Sequence, residues 1–164
     1  MTVLAARVDQ KLIHGQVTLG WAPFLEIEEI IVADHLALES DLLMDIMALG
    51  IHPPVGNISF VTPPKLNELL AEKRKDLRIM ILFRDVAGVG EAVHEGLCLT
   101  SLNLGNQFYK PSPETLRLAD SFFVNDQDLK TLASLAEDGL KIYFQSLPAD
   151  QPTLFEPNRY RWNR

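Results

Sequence analysis

The chain has 164 residues, 47% hydrophobic and 23% charged, a composition that suits one folded domain and not a disordered segment. Its formal charge of -7 weighs against a general binder of nucleic acid or anionic lipid. One cysteine excludes an internal disulfide and a cysteine-rich zinc site, no run reaches the ~18 apolar residues of a membrane span, and the opening MTVLAARVDQ lacks a signal-peptide layout, so the expected location is the cytoplasm.

Short apolar runs alternate with longer amphipathic ones. The runs at 3–7, 29–33, 57–61, 77–83, 99–104, 121–124 and 141–145 read as strands. Several are nearly continuous in Val, Ile, Leu and Phe, as in a parallel sheet covered on both faces. A first helix opens near Gly15 and runs to about Ala22, before Pro23. Leu38, Leu42 and Ile46, with Leu43 and Met47 one step behind, give a second helix its apolar face, and Gly50 suits its end. Thr62 and Pro63 mark a third start, with Lys73, Arg74 and Lys75 placed for its C-terminus. Asp85 caps a fourth, through Val89 and Val93 to Gly96. Asn125 caps a fifth, through Leu129, Leu132 and Ala136 to Gly139.

This alternation predicts an α/β fold: an open, mostly parallel twisted sheet of about seven strands with helices on both faces. Residues 105–115 carry no clear helix, so the strand after them is the candidate for an antiparallel member near an edge. The expected organisation is one domain over residues 1–150, extended by residues 151–164.

Ligands in such folds bind beyond the carboxyl ends of the strands. That rim collects residues 8–14, Asp34 with His35, Arg84 with Asp85, Asn103 to Asn106, and Asn125 with Asp126. Its most informative segment is RVDQKLIHGQV, from Arg7 to Val17. His14 stands just before a helix, where first-turn N–H groups and the dipole favour an anion. Gly15 leaves room for a bulky group or another protein. Arg7 and Lys11 add two cations, and Asp9 can orient an imidazole or an arginine. A neutral imidazole is a good nucleophile near its unperturbed pKa of about 6.5. Amides and cations of this kind can hold its phosphorylated form. On spacing alone the segment reads equally as a capping histidine beside a surface Arg7–Asp9 pair.

The same stretch closely resembles the active-site loop of the IIB component of the mannose/fructose/sorbose family of the bacterial phosphoenolpyruvate-dependent sugar phosphotransferase system. That family pattern reads R-[IV]-D-[DE]-R-L-I-H-G-Q-V, and nine of the eleven positions match. The resemblance continues in Glu29-Ile30-Ile31-Val32-Ala33-Asp34, in Leu102-Asn103-Leu104-Gly105, which is similar to a V-N-[VL]-G-G segment, and from Gly139-Leu140 to Leu147-Pro148. It covers about residues 1–150.

The resemblance implies that His14 accepts a phosphoryl group on Nδ1 from a phosphohistidine of a IIA protein. It then passes the group to a sugar held by a membrane IIC/IID permease. Such a protein is a protein-histidine phosphotransferase (EC 2.7.1.-), attached peripherally to the inner face of the membrane through the permease. Arg7 and Lys11 are then expected to stabilise phosphate charge, Asp9 to organise the loop, and the amides near Gly15 and Gln16 to cap the phosphate. No cofactor, metal or nucleic-acid partner is implied, and no Walker A or G-x-G-x-x-G pattern is present. The alternative is a regulatory module of the same fold that senses phosphorylation without feeding a transporter.

The chain departs from the family pattern at particular positions. Lys11 stands where the family has Arg, keeping the charge but losing the planar fork. Gln10 replaces an acid, Asn106 replaces the second glycine after Gly105, and the loop at 107–111 is unlike typical members. Arg84 ends a strand that can neighbour the first. It is a candidate to reach the phosphate in place of the missing arginine, the alternative being a pair with Asp85. His35 is a further rim residue, while His52 and His94 lack metal-ligand spacing. Cys98 reads as a small core residue. Trp21 and Phe24 read as packing on the sheet, with a partner surface as the alternative. The tail, with Arg159, Tyr160, Arg161, Trp162 and Arg164, reads as an interface or as a segment folded over its own domain. The chain opens on its first strand, leaving no room for a fused IIA domain, so IIA is expected as a separate chain.

Overall fold

In the computed structural model, which describes residues 2–160, the strands are β1 (Thr2–Asp9), β2 (Glu29–Ala33), β3 (Asn57–Val61), β4 (Arg78–Phe83), β5 (Ser101–Asn106), β6 (Leu116–Ala119), β7 (Phe122–Val124), β8 (Lys141–Phe144) and β9 (Thr153–Leu154). Seven of them form one sheet in the order β3-β2-β4-β1-β5-β8-β9. Its neighbours are parallel except β9, which runs antiparallel to β8. The open, mostly parallel α/β sheet with an antiparallel edge is thus as the sequence predicts, but the antiparallel member is a different strand. The run at 121–124 pairs with β6 in a separate antiparallel hairpin. β9 has two exposed residues, too few to show any periodicity in sequence.

The first helix, α1 (residues 16–24), opens as a π-helix over Gln16–Trp21 and closes as an α-helix over Ala22–Phe24. It runs through Pro23, where the sequence predicts a stop. The π segment bonds the Ala22 N–H to the Val17 carbonyl, five residues back. The α segment then starts afresh with Pro23 in its first turn, where no donor is needed. A 3-10 turn (Ala37–Glu39) leads to α2 (Asp41–Leu49), whose Leu43 N–H donates to Ser40 Oγ at 3.2 Å. Only one of the apolar rows is seated: Met47 is buried, whereas Leu42 and Ile46 of α2, like Leu38 in the turn before it, face solvent.

A second 3-10 turn (Pro63–Lys65) leads to α3 (Leu66–Ala71). That helix ends before Lys73, whose Nζ instead donates to Glu29 Oε1 at 2.6 Å. The caps of α4 (Val86–His94) and α5 (Asp126–Glu137) are Asp85 and Asn125, as read from sequence, and the glycines beyond them, Gly96 and Gly139, take φ of 93° and 95°.

Strand alternation divides the core into two layers. Ile31, Ala33, Ile79, Ile81 and Phe83 pack with Leu66, Val89 and Leu132 of α3, α4 and α5. Ile30, Val32, Met80 and Leu82 pack with Val17, Trp21 and Met47 of α1 and α2. In β1, Ala6 and Val8 join the first layer and Ala5 the second, so the period of two turns Arg7 and Asp9 toward α1. Phe155 also joins the first layer and stacks on Tyr160 at 5.5 Å between ring centroids. This part of the tail folds over its own domain, while Arg161, Trp162 and Arg164 lie outside the described residues.

The chain leaves β1 toward β2 on one flank, while β4 connects through α4 to β5 on the other. The topological switch point therefore lies at the carboxyl end of β1, where the RVDQKLIHGQV loop begins. No helix among the described residues is long and apolar enough to cross a membrane.

Candidate functional site

The sheet centre buries a charged pair, which is stable only if its hydrogen bonds are met. Arg7 has no exposed surface. Its Nε donates to Asp9 Oδ2 at 2.9 Å, Nη1 to the Gln145 carbonyl at 2.9 Å and to Asn103 Oδ1, and Nη2 to Gln16 Oε1 at 2.8 Å. Burial draws the Arg7 pKa below its ordinary value, and the Asp9 charge works against that. Trp21 lies 5.9 Å from the guanidinium carbon and donates its Nε1–H to the Ser146 carbonyl at 2.9 Å. On the β5 side the guanidinium lies against Gly105, where a Cβ would fall 2.3 Å from Cζ. Only glycine fits there.

Asp9 carries this network to the surface. Its Oδ2 accepts from Arg7, from Asn106 Nδ2 at 3.0 Å and from His14 Nε2 at 2.7 Å, and its Oδ1 accepts from the Lys11 N–H at 3.1 Å. Burial would push the Asp9 pKa up. The bonds and charges from His14 and Arg7, with the Asn106 bond, hold it below the ordinary carboxylate value. An ionised carboxylate only accepts, so the ring presents Nε2–H to it, and in the neutral ring the lone pair is then on Nδ1. The His14 side chain is 19% exposed, enough for a partner to reach it.

The loop is held at both ends. Leu12 sits in the left-handed region at φ 54° with its side chain buried. That conformation costs a non-glycine residue about 1–2 kcal/mol, which burial of a leucine offsets. The His14 carbonyl accepts the N–H groups of Val17 at 3.0 Å and Thr18 at 2.9 Å, and the Thr18 hydroxyl at 3.2 Å.

The predicted residues divide in this geometry. Arg7, Asp9, His14 and Gln16 form one hydrogen-bonded cluster, with Arg7 beneath the carboxylate. Lys11 gives it a backbone N–H; its side chain is exposed and makes no hydrogen bond or ion pair among the described residues. Gly15 starts α1 at φ -55°, with nothing within 4 Å of where a Cβ would stand. Neither backbone nor packing requires glycine there, and what it keeps is open space beside His14.

Arg84 is not in the cluster. Its guanidinium forks onto Asp34 at 2.9 and 2.6 Å, and that bond raises its pKa. Asp85 is occupied as the cap of α4. His35 meets Glu91 at 2.7 Å. Trp21 packs inside, whereas Phe24 is 66% exposed, with its ring edge-on to Trp21. Cys98 is exposed and not a core residue, because Leu97 and Leu99 on either side take the inward positions. Among the described residues no group of His, Cys, Asp and Glu is placed to hold a metal.

Asn103, Asn106 and the Gln145 carbonyl join the cluster without having been assigned a role from sequence. The available signal was SLNLGN, a strand with two asparagines, both buried, among apolar residues and glycine. Gln10 also finds a partner: its Oε1 accepts the Phe108 N–H at 2.8 Å, so two departures from the family pattern touch each other. Beside Gly15 and Gln16 lies an apolar recess lined by Leu19, Phe24 and Leu147, all three exposed.

Comparison with known proteins gives a single picture. The family model described as "PTS system sorbose subfamily IIB component" matches residues 3–158. The N-acetylgalactosamine-specific phosphotransferase enzyme IIB component 1 of Escherichia coli is 25% identical over 149 residues, covering 91% of this chain and 93% of that protein. The fructose-specific EIIB component of Bacillus subtilis is 25% identical over 152 residues, covering 92% and 91%. The mannose-specific EIIAB component of Escherichia coli is 26% identical over 152 residues, 92% of this chain but 46% of that longer protein. The crystal structure of the Escherichia coli N-acetylgalactosamine-specific IIB component 1 superposes with a TM-score of 0.85 at 25% identity, covering 94% of this chain and 100% of that one.

Proposed function

This chain belongs to the sorbose-subfamily IIB components of the phosphotransferase system, and we propose that it carries its phosphoryl group on Nδ1 of His14. As a IIB component it accepts a phosphoryl group from a IIA protein and passes it to a sugar. The observation that best supports His14 as the carrier is its 2.7 Å bond to Asp9, which occupies Nε2 and leaves Nδ1 as the free nucleophile.

In this reading Nδ1 attacks the phosphorus of a phosphohistidine on IIA. The N–P bond to IIA breaks as the N–P bond to His14 forms. The ring then bears phosphorus on Nδ1 and a proton on Nε2, and the Asp9 carboxylate stabilises its positive charge. In the second transfer a sugar hydroxyl attacks phosphorus and gives up its proton to solvent, while the Nδ1–P bond breaks and returns the lone pair to Nδ1. The donor is already an activated phosphohistidine, so alignment and charge stabilisation are what the site must supply. The unpartnered Lys11 side chain and the amides at Gly15 and Gln16 supply them at the phosphoryl oxygens, and Arg7 acts from beneath through Asp9. Arg84 serves as the partner of Asp34 rather than as a phosphate ligand.

We assign the chain as a protein-histidine phosphotransferase with residues 1–150 as the IIB domain and 151–164 as its extension. Its partners are a phosphorylated IIA protein and a IIC/IID permease that holds the sugar and keeps the protein at the inner membrane face. The relative named EIIAB supports IIA as the donor. The exposed apolar side chains of Leu19, Phe24 and Leu147 beside Gly15 suit protein docking more than binding of a free sugar.

The test is incubation with phosphoenolpyruvate, the general phosphotransferase proteins and a cognate IIA, read by intact mass for an acid-labile phosphate. Phosphate on the wild type and none on His14→Ala is the expected result. An unphosphorylated wild type beside a fully charged IIA would sink the reading.

A further inference from the structure

We propose that Asn106 is a positioning residue of the transfer site: by bridging Asp9 and Gln16 it holds the carboxylate against His14 and turns the Gln16 NH2 group outward as a ligand for the phosphoryl group. The inference rests on the carrier reading and adds two side chains to it.

Donor and acceptor chemistry fixes how both amides are turned. Asn106 is buried, and its Nδ2 lies 3.0 Å from both Asp9 Oδ2 and Gln16 Oε1. Asp9 is ionised and only accepts, so Asn106 must turn its NH2 toward it. Gln16 is fixed in the same way. A guanidinium only donates, so the Gln16 atom 2.8 Å from Arg7 Nη2 is its oxygen. With Arg7 and Asn106 both donating to Oε1, the Gln16 NH2 group is left on the opposite edge, in a half-exposed side chain two residues beyond His14. It makes no hydrogen bond among the described residues, and a phosphoryl group supplies the acceptors it lacks.

Asn106 is itself well held. Its residue pairs with Asp9 in the β1–β5 ladder, and its carbonyl accepts the Gln10 N–H at 2.7 Å. One strand position therefore sets the distance between the carboxylate that orients the imidazole and the amide that meets the phosphate. With glycine there, Gln16 Oε1 keeps one donor instead of two and its amide is freer to rotate.

The experiment uses potassium phosphoramidate, a small phosphoryl donor, so that partner docking does not enter. Wild type, Asn106→Gly, Asn106→Asp and Gln16→Glu are compared by the rate of His14 phosphorylation, with thermal melting to show that each is folded. Asn106→Gly is expected to react about tenfold more slowly. Asn106→Asp, which fills the same space without the donor, should be slowed at least as much, and so should Gln16→Glu, which keeps an oxygen on Arg7 but loses the outward NH2. In wild type the Gln16 side-chain amide signals in the 1H–15N spectrum shift on phosphorylation. In Asn106→Gly that shift is lost, a change that loss of packing alone would not produce. A phosphorylated wild type with equal rates in folded Asn106→Gly and an unchanged Gln16 shift would overturn the inference and leave the carrier reading standing. Failure of the wild type with both phosphoramidate and charged IIA would overturn the two together.

Discussion

Gly105 lies flat against the Arg7 guanidinium, so close that a Cβ on the glycine would fall 2.3 Å from Cζ. Arg7 cannot withdraw without taking its charge and its Nε–H from the buried Asp9 carboxylate, which would keep only His14, Asn106 and the Lys11 N–H. Gly105→Ala is therefore predicted to cost about 3 kcal/mol of stability, in the range for overpacking and for breaking a buried ion pair. Urea unfolding measures it. A variant as stable as wild type would show that the guanidinium can move aside.

Gly15 makes the opposite case, since nothing within the chain fills the space beside it. Gly15→Val is predicted to change stability by no more than about 0.5 kcal/mol, as for a surface substitution. Transfer from phosphorylated IIA should fall at least about tenfold, because two proteins must align closely at His14. Phosphoramidate, being small, should still react near the wild-type rate. Undiminished transfer from IIA would mean that the open space serves no partner.

Lys11 tests the charge of the loop. Its side chain has no partner among the described residues, so Lys11→Ala should leave stability within about 0.5 kcal/mol. The rate of transfer from IIA should drop by about 10- to 100-fold, a loss of up to about 3 kcal/mol of transition-state stabilisation. Lys11→Arg restores the fork of the family pattern and should recover the wild-type rate or exceed it. A full-rate Lys11→Ala would remove the side chain from the mechanism.

Two buried carboxylates predict pH effects of opposite sign. Asp9 has its pKa held down by His14 and Arg7 against the pull of burial. Its contribution to stability is present above the unfolded value of about 3.9 and is lost as pH falls through the lower folded value. Asp128 is pushed up, chiefly by burial, against its bonds from Tyr109, Asn125 and Gln107. Its folded form binds the proton more readily, so stability falls as pH rises from the unfolded value through the folded one. Asp9→Asn should then cost about 3 kcal/mol at pH 7, with the gap from wild type narrowing only below about pH 4. Asp128→Asn should remove the decline attributed to Asp128. Urea midpoints from pH 3 to 8 check both, and a gap for Asp9→Asn that closes well above pH 4 would contradict the assignment.

The parts of this molecule written in local sequence were legible. β2 and β3 match their apolar runs residue for residue, Asp85 and Asn125 cap the helices read from them, and Gly96 and Gly139 follow the ends of those helices at positive φ. Each is set by neighbours a few residues away. The passage of α1 through Pro23 was not legible, because proline reads as a stop unless a π-turn has already shifted the bonding. The Arg7, Asp9 and His14 cluster showed as a motif. The Asn106 bridge did not, since it joins residues 90 apart in the chain. Arg84 is the most instructive case. Its strand does neighbour β1, as read, but it also neighbours β2, and Asp34 just beyond β2 takes the guanidinium. Sequence supplied one neighbour of β4, and the sheet order supplied the other.

By holding Nε2–H of His14, Asp9 is proposed to direct the phosphoryl group to Nδ1. The most direct measurement is 15N NMR of the phosphorylated protein labelled at histidine, reading which ring nitrogen bears phosphorus and which bears the proton. Phosphorus on Nδ1 and a proton on Nε2 are expected, with mixed or lost regiochemistry in Asp9→Asn. Phosphorus on Nε2, or on no nitrogen of His14, would contradict it.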